Sequence, residues 1–121
     1  MRATEIVEGF FTAMERRRWA EAAGFLSDEI HVWWPVSDEQ FRGGDFIAMQ
    51  EAYPDGWAIT VVEVIASGHR VAARIAVDQD GKRFWCFGWY DVSDQRIVEA
   101  VELWATEGSE TPPDWRRRFA D

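Results

Sequence analysis

The hydrophobic period of this chain changes once, at Gly56, and that change narrows the folds open to it. Before Gly56, Ile6, Val7, Phe10, Phe11 and Met14 recur at helical spacing and make one wide apolar face. After it, apolar residues alternate with a period of two through Trp57–Ala66, Arg70–Val77, Arg83–Val92 and Ile97–Ala105. Ser67-Gly68, Asp80-Gly81 and the segment Ser93–Arg96 supply the turns between them. Helices followed by a meander of strands predict an α+β domain, with the helices on one face of an antiparallel sheet.

The first half divides further. Thr4 is placed to cap the first helix, with Glu5 in its first turn and Arg16, Arg17 and Arg18 in its last, where cations are favoured. Trp19, Ala22, Ala23 and Leu26 share one side of a short second helix. Ile30–Trp34 reads as a short strand ended by Pro35, and residues 36–44 as a polar loop. Asp45 is placed to cap a third helix carrying Phe46, Ile47, Met49 and Tyr53, which Pro54-Asp55-Gly56 terminates. Pro112 and Pro113 open a short C-terminal helix.

The chain has 121 residues, so residues 1–121 are expected to form one domain. Eight tryptophans are many for so small an interior, and some are expected to line a cavity or a partner surface. A formal charge of −9 disfavours nucleic acid and anionic membranes, which need basic surfaces. Cys86 is the only cysteine, so no disulfide within the chain and no thiolate cluster can form; it reads as a small buried hydrophobe. His31 and His69 have no acidic or thiol neighbour at ligand spacing, and neither a metal nor a cofactor is expected. There is no glycine-rich phosphate loop and no Ser-His-Asp signature. Met1–Phe11 carries Glu5 and Glu8 and no long apolar run, unlike a signal peptide, so a cytoplasmic protein is expected.

The Arg83–Val92 run is apolar on both faces. Phe84, Cys86, Gly88, Tyr90 and Val92 share one, and Trp85, Phe87 and Trp89 dominate the other. A sheet covered on one side alternates apolar and polar residues. The second face is therefore expected to be covered as well, most simply by a second copy of the chain, with Val101 and Leu103 on the same surface.

Several local patterns occur in a specific order: Trp33-Trp34-Pro35, Phe41-Arg42-Gly43-Gly44, Tyr53-Pro54-Asp55-Gly56-Trp57, Val101-Glu102-Leu103-Trp104 and Pro112-Pro113-Asp114-Trp115-Arg116. In these the chain resembles the nuclear-transport-factor-2-like superfamily, in its bacterial SnoaL-like branch, over nearly its whole length. The resemblance implies a cone, a strongly bent sheet wrapped around N-terminal helices with a pocket at its open end. It also implies homodimers through the convex sheet face. The superfamily hosts isomerases, dehydratases, epoxide hydrolases, polyketide cyclases and non-enzymatic binding modules, so its fold alone does not name an activity.

Residue by residue, the resemblance removes some chemistries. Ketosteroid-isomerase-like members carry a catalytic tyrosine where this chain has Phe10, and a carboxylate where it has Trp34. Their second acid matches Tyr90, which can still donate a hydrogen bond. No Asp-Arg-Asp arrangement like that of the epoxide hydrolases is present. The same alignment points Ala100, Glu102 and Trp104 into the cone. Glu102 would then be the remaining acid or base, its pKa raised by burial, or else a charge paired with an arginine or reaching water at the mouth. Phe10, Trp34, Tyr90 and Trp104 would wall the pocket, or simply fill it. Tyr53 would be a rim hydroxyl or a packing residue. The implied function is small-molecule binding, with lyase, isomerase or cyclase action on an apolar ring-shaped substrate. The alternative is a non-catalytic dimerisation or partner-binding module.

Overall fold

The computed structural model describes residues 1–121. Ten elements follow one another: α1 (Ala3–Glu15), α2 (Trp19–Gly24), β1 (Leu26–Trp34), β2 (Glu39–Arg42), α3 (Gly44–Ala52), β3 (Ala58–Ser67), β4 (Arg70–Gln79), β5 (Lys82–Ser93), β6 (Arg96–Thr106) and α4 (Asp114–Arg117). The strands form one curved, unclosed sheet in the order β2-β1-β6-β5-β4-β3. All neighbours are antiparallel except β1 and β6. No helix is long and apolar enough to cross a membrane.

The predicted α+β order and the four-strand meander are both present, and α1 lies against the concave side. Its Ile6, Val7, Phe10, Phe11, Ala13 and Met14 are buried, packed against Val71, Ile75, Cys86 and Tyr90 of the sheet within one core cluster. Register shifts interrupt the ladder in β1, in β3 between Val61 and Glu63, and in β5 between Asp91 and Val92. Such bulges bend a strand and increase its twist, which suits a sheet that must curve around a helix.

Several local expectations are corrected. The first helix begins at Ala3, and Thr4 lies inside it. The Glu5 carboxylate caps the end instead, accepting from the Arg2 backbone N–H at 2.9 Å. The three arginines lie beyond the last turn of α1, because Arg17 takes a left-handed backbone (φ 57°) and ends the helix. The local cost, about 1–3 kcal/mol for such strain, is offset by what the guanidinium reaches. It donates to Asp55 Oδ1 at 2.9 and 3.0 Å and to the Trp57 carbonyl, and lies 3.4 Å above the Trp57 ring. Arg17 thereby ties the α1–α2 turn to the segment that enters β3.

Gly43, not Asp45, precedes α3 as its cap residue. The first strand starts at Leu26, four residues before Ile30, through the polar stretch Ser27-Asp28-Glu29. The polar loop 36–44 contains the edge strand β2, which is exposed except at half-buried Phe41. Edge strands of this kind leave little hydrophobic signal to read.

Candidate functional site

A cavity of about 190 Å³ opens between α1, α3 and the concave face of the sheet. The helix α1 contributes Phe10, Phe11 and Met14; β1 ends in Trp34; β6 contributes Glu102 and Trp104. Most of the lining is hydrophobic, and Glu102 is its one ionisable acid. The aromatic rings hold one another in place. Trp34 meets Trp104 edge-on with centroids 5.9 Å apart, and Phe41 at 4.8 Å. Phe10 stacks on Phe46 at 6.2 Å.

Glu102 is 2% exposed and is the one buried charged side chain of the molecule. Its Oε1 accepts from Trp34 Nε1 at 2.9 Å, and its Oε2 accepts from the Tyr90 hydroxyl at 2.5 Å. Burial raises its pKa, because the charged form loses hydration; the hydrogen bonds from Tyr90 and Trp34 act in the opposite direction without cancelling it. The Trp104 indole N–H is buried on the same side and lowers the pKa of this carboxylate least of its neighbours, without forming a hydrogen bond of good geometry. Burial, and then the neighbouring Glu102 charge, hold the Tyr90 hydroxyl and the Cys86 thiol well above their ordinary values. Glu102 is therefore the group of this cluster that titrates most readily, and it is oriented from both oxygens.

The structure brings Phe10, Trp34, Tyr53, Glu102 and Trp104 to this cavity. Tyr53 is 47% exposed beside the mouth, as the residue that caps the end of α3. Tyr90 departs from the expectation: it does not wall the cavity but lies behind Glu102, 2% exposed, with its ring edge-on to Phe11. The reason is Gly88. It stands opposite Glu102 in the β5–β6 ladder, and a Cβ built on it would lie 2.3 Å from the Tyr90 hydroxyl oxygen. The missing side chain lets Tyr90 lean back along its own strand and reach the carboxylate. A glycine inside a strand often marks such a close approach, so the sequence carried a signal for Gly88. Trp57, which also lines the cavity, was legible only as the start of a strand.

On the opposite face of the same strands, Trp85 and Phe87 stack at 6.0 Å, with Trp89 beyond them. Phe87, Trp89 and Leu103 are 44%, 57% and 43% exposed, and Val101 is half-buried opposite Trp89. No group of three or more His, Cys, Asp or Glu side chains is placed to hold a metal ion.

The family model for the SnoaL-like domain matches residues 7–100. The chain belongs to that family. SnoaL-like and nuclear-transport-factor-2-like folds recur among the solved structures similar to it. A provisionally named ketosteroid isomerase from Kribbella flavida is 22% identical, with a TM-score of 0.88 over 98% of this chain and 87% of that one. An LEH-like epoxide hydrolase from M. tuberculosis is 21% identical, with a TM-score of 0.71 over 85% of this chain and 82% of that one. A nuclear-transport-factor-2-like protein of unknown function from Burkholderia xenovorans is 14% identical, with a TM-score of 0.79 over 98% of this chain and 93% of that one. No curated protein matches the chain. At these identities the likeness establishes the SnoaL-like fold and leaves the chemistry to the site itself.

Proposed function

We propose that this SnoaL-like chain binds a small, neutral, apolar ring-shaped molecule in the cavity and acts on it as a lyase, isomerase or cyclase. Glu102 is the group that holds and moves the proton. The observation that carries this reading is one carboxylate, buried among aromatic side chains, facing an apolar cavity of about 190 Å³. A pKa raised by burial brings a carboxyl group closer to neutral pH, where a general acid or base works best. The cavity volume weighs against the rival, a cone filled by its own side chains with no room for a ligand.

The test is a thermal-shift screen of ring compounds against the wild-type protein. A ligand at a hundred times its dissociation constant adds about 2.7 kcal/mol to apparent stability, a visible rise in Tm. Neutral ring compounds should raise Tm, and Glu102→Gln should retain that binding while losing any turnover found. Stabilisation only by charged metabolites such as nucleotides would overturn the reading.

The exposed aromatic face supports a second element of the proposal, a homodimer. Trp89, Phe87 and Leu103 are large apolar side chains that their own chain covers only in part, and contiguous apolar surface of this kind marks an interaction site. A wild-type protein that sediments as a monomer at micromolar concentration would remove it.

A further inference from the structure

The two walls of the cavity share one axis. On the sheet side, Gly88 of β5 stands opposite Glu102 and Lys82 opposite Gln79, about 20 Å apart along the strand. Between those rungs come Trp104, opposite Cys86, and Val77, opposite Phe84. On the helix side, α3 and its cap residue contribute Phe46, Gln50 and Tyr53 over about 10 Å. Phe46 is buried, Gln50 half-buried and Tyr53 exposed. Phe46 lies edge-on to Trp34, the indole that donates to Glu102. Gln79 is bonded instead to the carbonyl of Pro54, the residue after Tyr53. Glu102 therefore stands at the closed end, and Gln50, Tyr53 and Gln79 gather at the mouth.

The mouth is polar without being charged, and one of its groups is held in a fixed orientation. Gln79 Nε2 donates to the Pro54 and Asp55 carbonyls at 2.9 and 3.2 Å. Those bonds set which way the amide faces, because its oxygen in that place would meet two other acceptors. The Gln79 oxygen has no partner in the chain, and it is not sealed away: Trp104 Nε1 is the one buried side-chain nitrogen or oxygen left without a partner. An amide oxygen can only accept. No lysine, arginine or histidine lines the cavity, and its one acid is at the other end.

Resting on the ligand-binding reading above, we infer that the cavity takes a neutral ring compound with a hydroxyl group at one end. The hydroxyl donates to Gln79 Oε1 at the mouth, and the opposite end of the molecule lies against Glu102. Gln79 then sets which substituent the ligand carries, and the proton transfer by Glu102 falls on the part of the ring system farthest from it. A cavity of about 150 Å³ accepts benzene. One of about 190 Å³ with an open mouth accepts a second ring fused to the first, its hydroxyl in the mouth.

The experiment uses 2-naphthol, which can donate, 2-methoxynaphthalene, which can only accept, and naphthalene, which does neither. Each is titrated into 13C,15N-labelled full-length protein and followed by NMR. 2-Naphthol should bind about fivefold more tightly than 2-methoxynaphthalene, the worth of one net hydrogen bond. It should also move the Gln79 side-chain carbonyl resonance downfield. Its hydroxyl-bearing ring should show nuclear Overhauser contacts to Tyr53, and its other ring to Trp34. Gln79→Met keeps the length of the side chain, removes the acceptor and should abolish the preference for 2-naphthol. The variant also frees the Pro54 and Asp55 carbonyls, which loosens all three probes alike, so the ratio of affinities reads the hydrogen bond. The wild-type resonance and contacts carry the test if the variant does not fold. Equal wild-type affinities for the two oxygen-bearing probes, or a preference that Gln79→Met leaves unchanged, overturns this inference and leaves the ligand-binding reading intact. A hydroxyl-bearing ring seated against Trp34 does the same. Failure of all three probes to saturate any cavity resonance overturns this inference and the ligand-binding reading together.

Discussion

The two faces of β5 and β6 are equally rich in large apolar side chains and are used in opposite ways. On the concave face, Cys86, Tyr90 and Ala100 are buried, and the polar groups among them are joined: Tyr90 to Glu102, and Glu102 to Trp34. On the convex face, Trp89, Phe87 and Leu103 stand in the open, and polar contacts form only around them, such as Trp85 Nε1 to Glu107 at 2.8 Å and Arg83 to Asp78 at 2.9 Å. The concave face resembles a protein interior built around one titratable group. The convex face resembles half of an interface, with an apolar centre and a charged rim. Alternation along a strand distributes side chains to two faces, but what each face does depends on what lies against it.

The largest expected effect breaks the convex side of this contrast. Trp89→Glu places a charge at the centre of the exposed aromatic face. If two copies meet there, the charge is desolvated without a partner, and the dimer dissociation constant should rise at least about a hundredfold, near 2.7 kcal/mol. Sedimentation equilibrium reads this directly. The same variant should leave the monomer's fold intact, because Trp89 is 57% exposed and outside the core. Association as tight as wild type would mean the convex face is not the interface.

A smaller effect is expected on the concave side. Gly88→Ala inserts a methyl group 2.3 Å from the Tyr90 hydroxyl oxygen and 2.6 Å from two of its ring carbons. Tyr90 is 2% exposed and cannot move outward, so it must give up its hydrogen bond to Glu102 or force its neighbours apart. Overpacking of this sort costs about 1–3 kcal/mol, visible as a lower urea midpoint. A double-mutant cycle sharpens the point. Once Gly88→Ala has displaced the hydroxyl, Tyr90→Phe should cost less than it does in the wild type. Strict additivity would show that Gly88 does not serve the Tyr90–Glu102 contact.

The fold was legible where periodicity was long and regular. The change of period at Gly56 located the meander, and the face of α1 defined by Ile6, Val7, Phe10, Phe11 and Met14 is the face that is buried. Legibility failed where local structure answers to distant partners. Arg17 leaves the helix because Asp55 and Trp57 are waiting for its guanidinium, and nothing within a few residues of Arg17 announces that. The strand β2 was hidden because it is four residues long and only Phe41 is even half-buried, too little to display an apolar alternation. At the site, Phe10, Trp34, Glu102 and Trp104 could be placed from the resemblance and the strand pattern. Tyr90 was placed on the correct face but in the wrong layer, since alternation gives a side and not a depth. Depth was set by Gly88, through a gap that only the neighbouring tyrosine fills.

The smallest effect concerns Glu102, and its sign is what matters. Burial raises the folded-state pKa above the ordinary value of 4.5, outweighing the hydrogen bonds from Tyr90 and Trp34. The folded protein therefore binds the Glu102 proton more tightly than the unfolded chain does. The resulting stabilisation is fully present below the unfolded pKa and is lost as pH rises through the folded pKa. Above that pH the fold carries a buried carboxylate whose desolvation its two donors only partly offset. Glu102→Gln keeps the shape and an acceptor for Trp34, but it cannot ionise. At low pH it should match the wild type. Near pH 7 it should be more stable, by about 1.4 kcal/mol for each tenfold difference in proton affinity between the folded and unfolded chains. Urea denaturation of both proteins from acid to neutral pH measures the difference, which should grow between the two pKa values and then level off. A Gln variant less stable than wild type at pH 7 would show that the ionised carboxylate is held favourably by Tyr90 and Trp34. Glu102 would then be a structural charge, and the concave face would lose its one candidate for proton transfer.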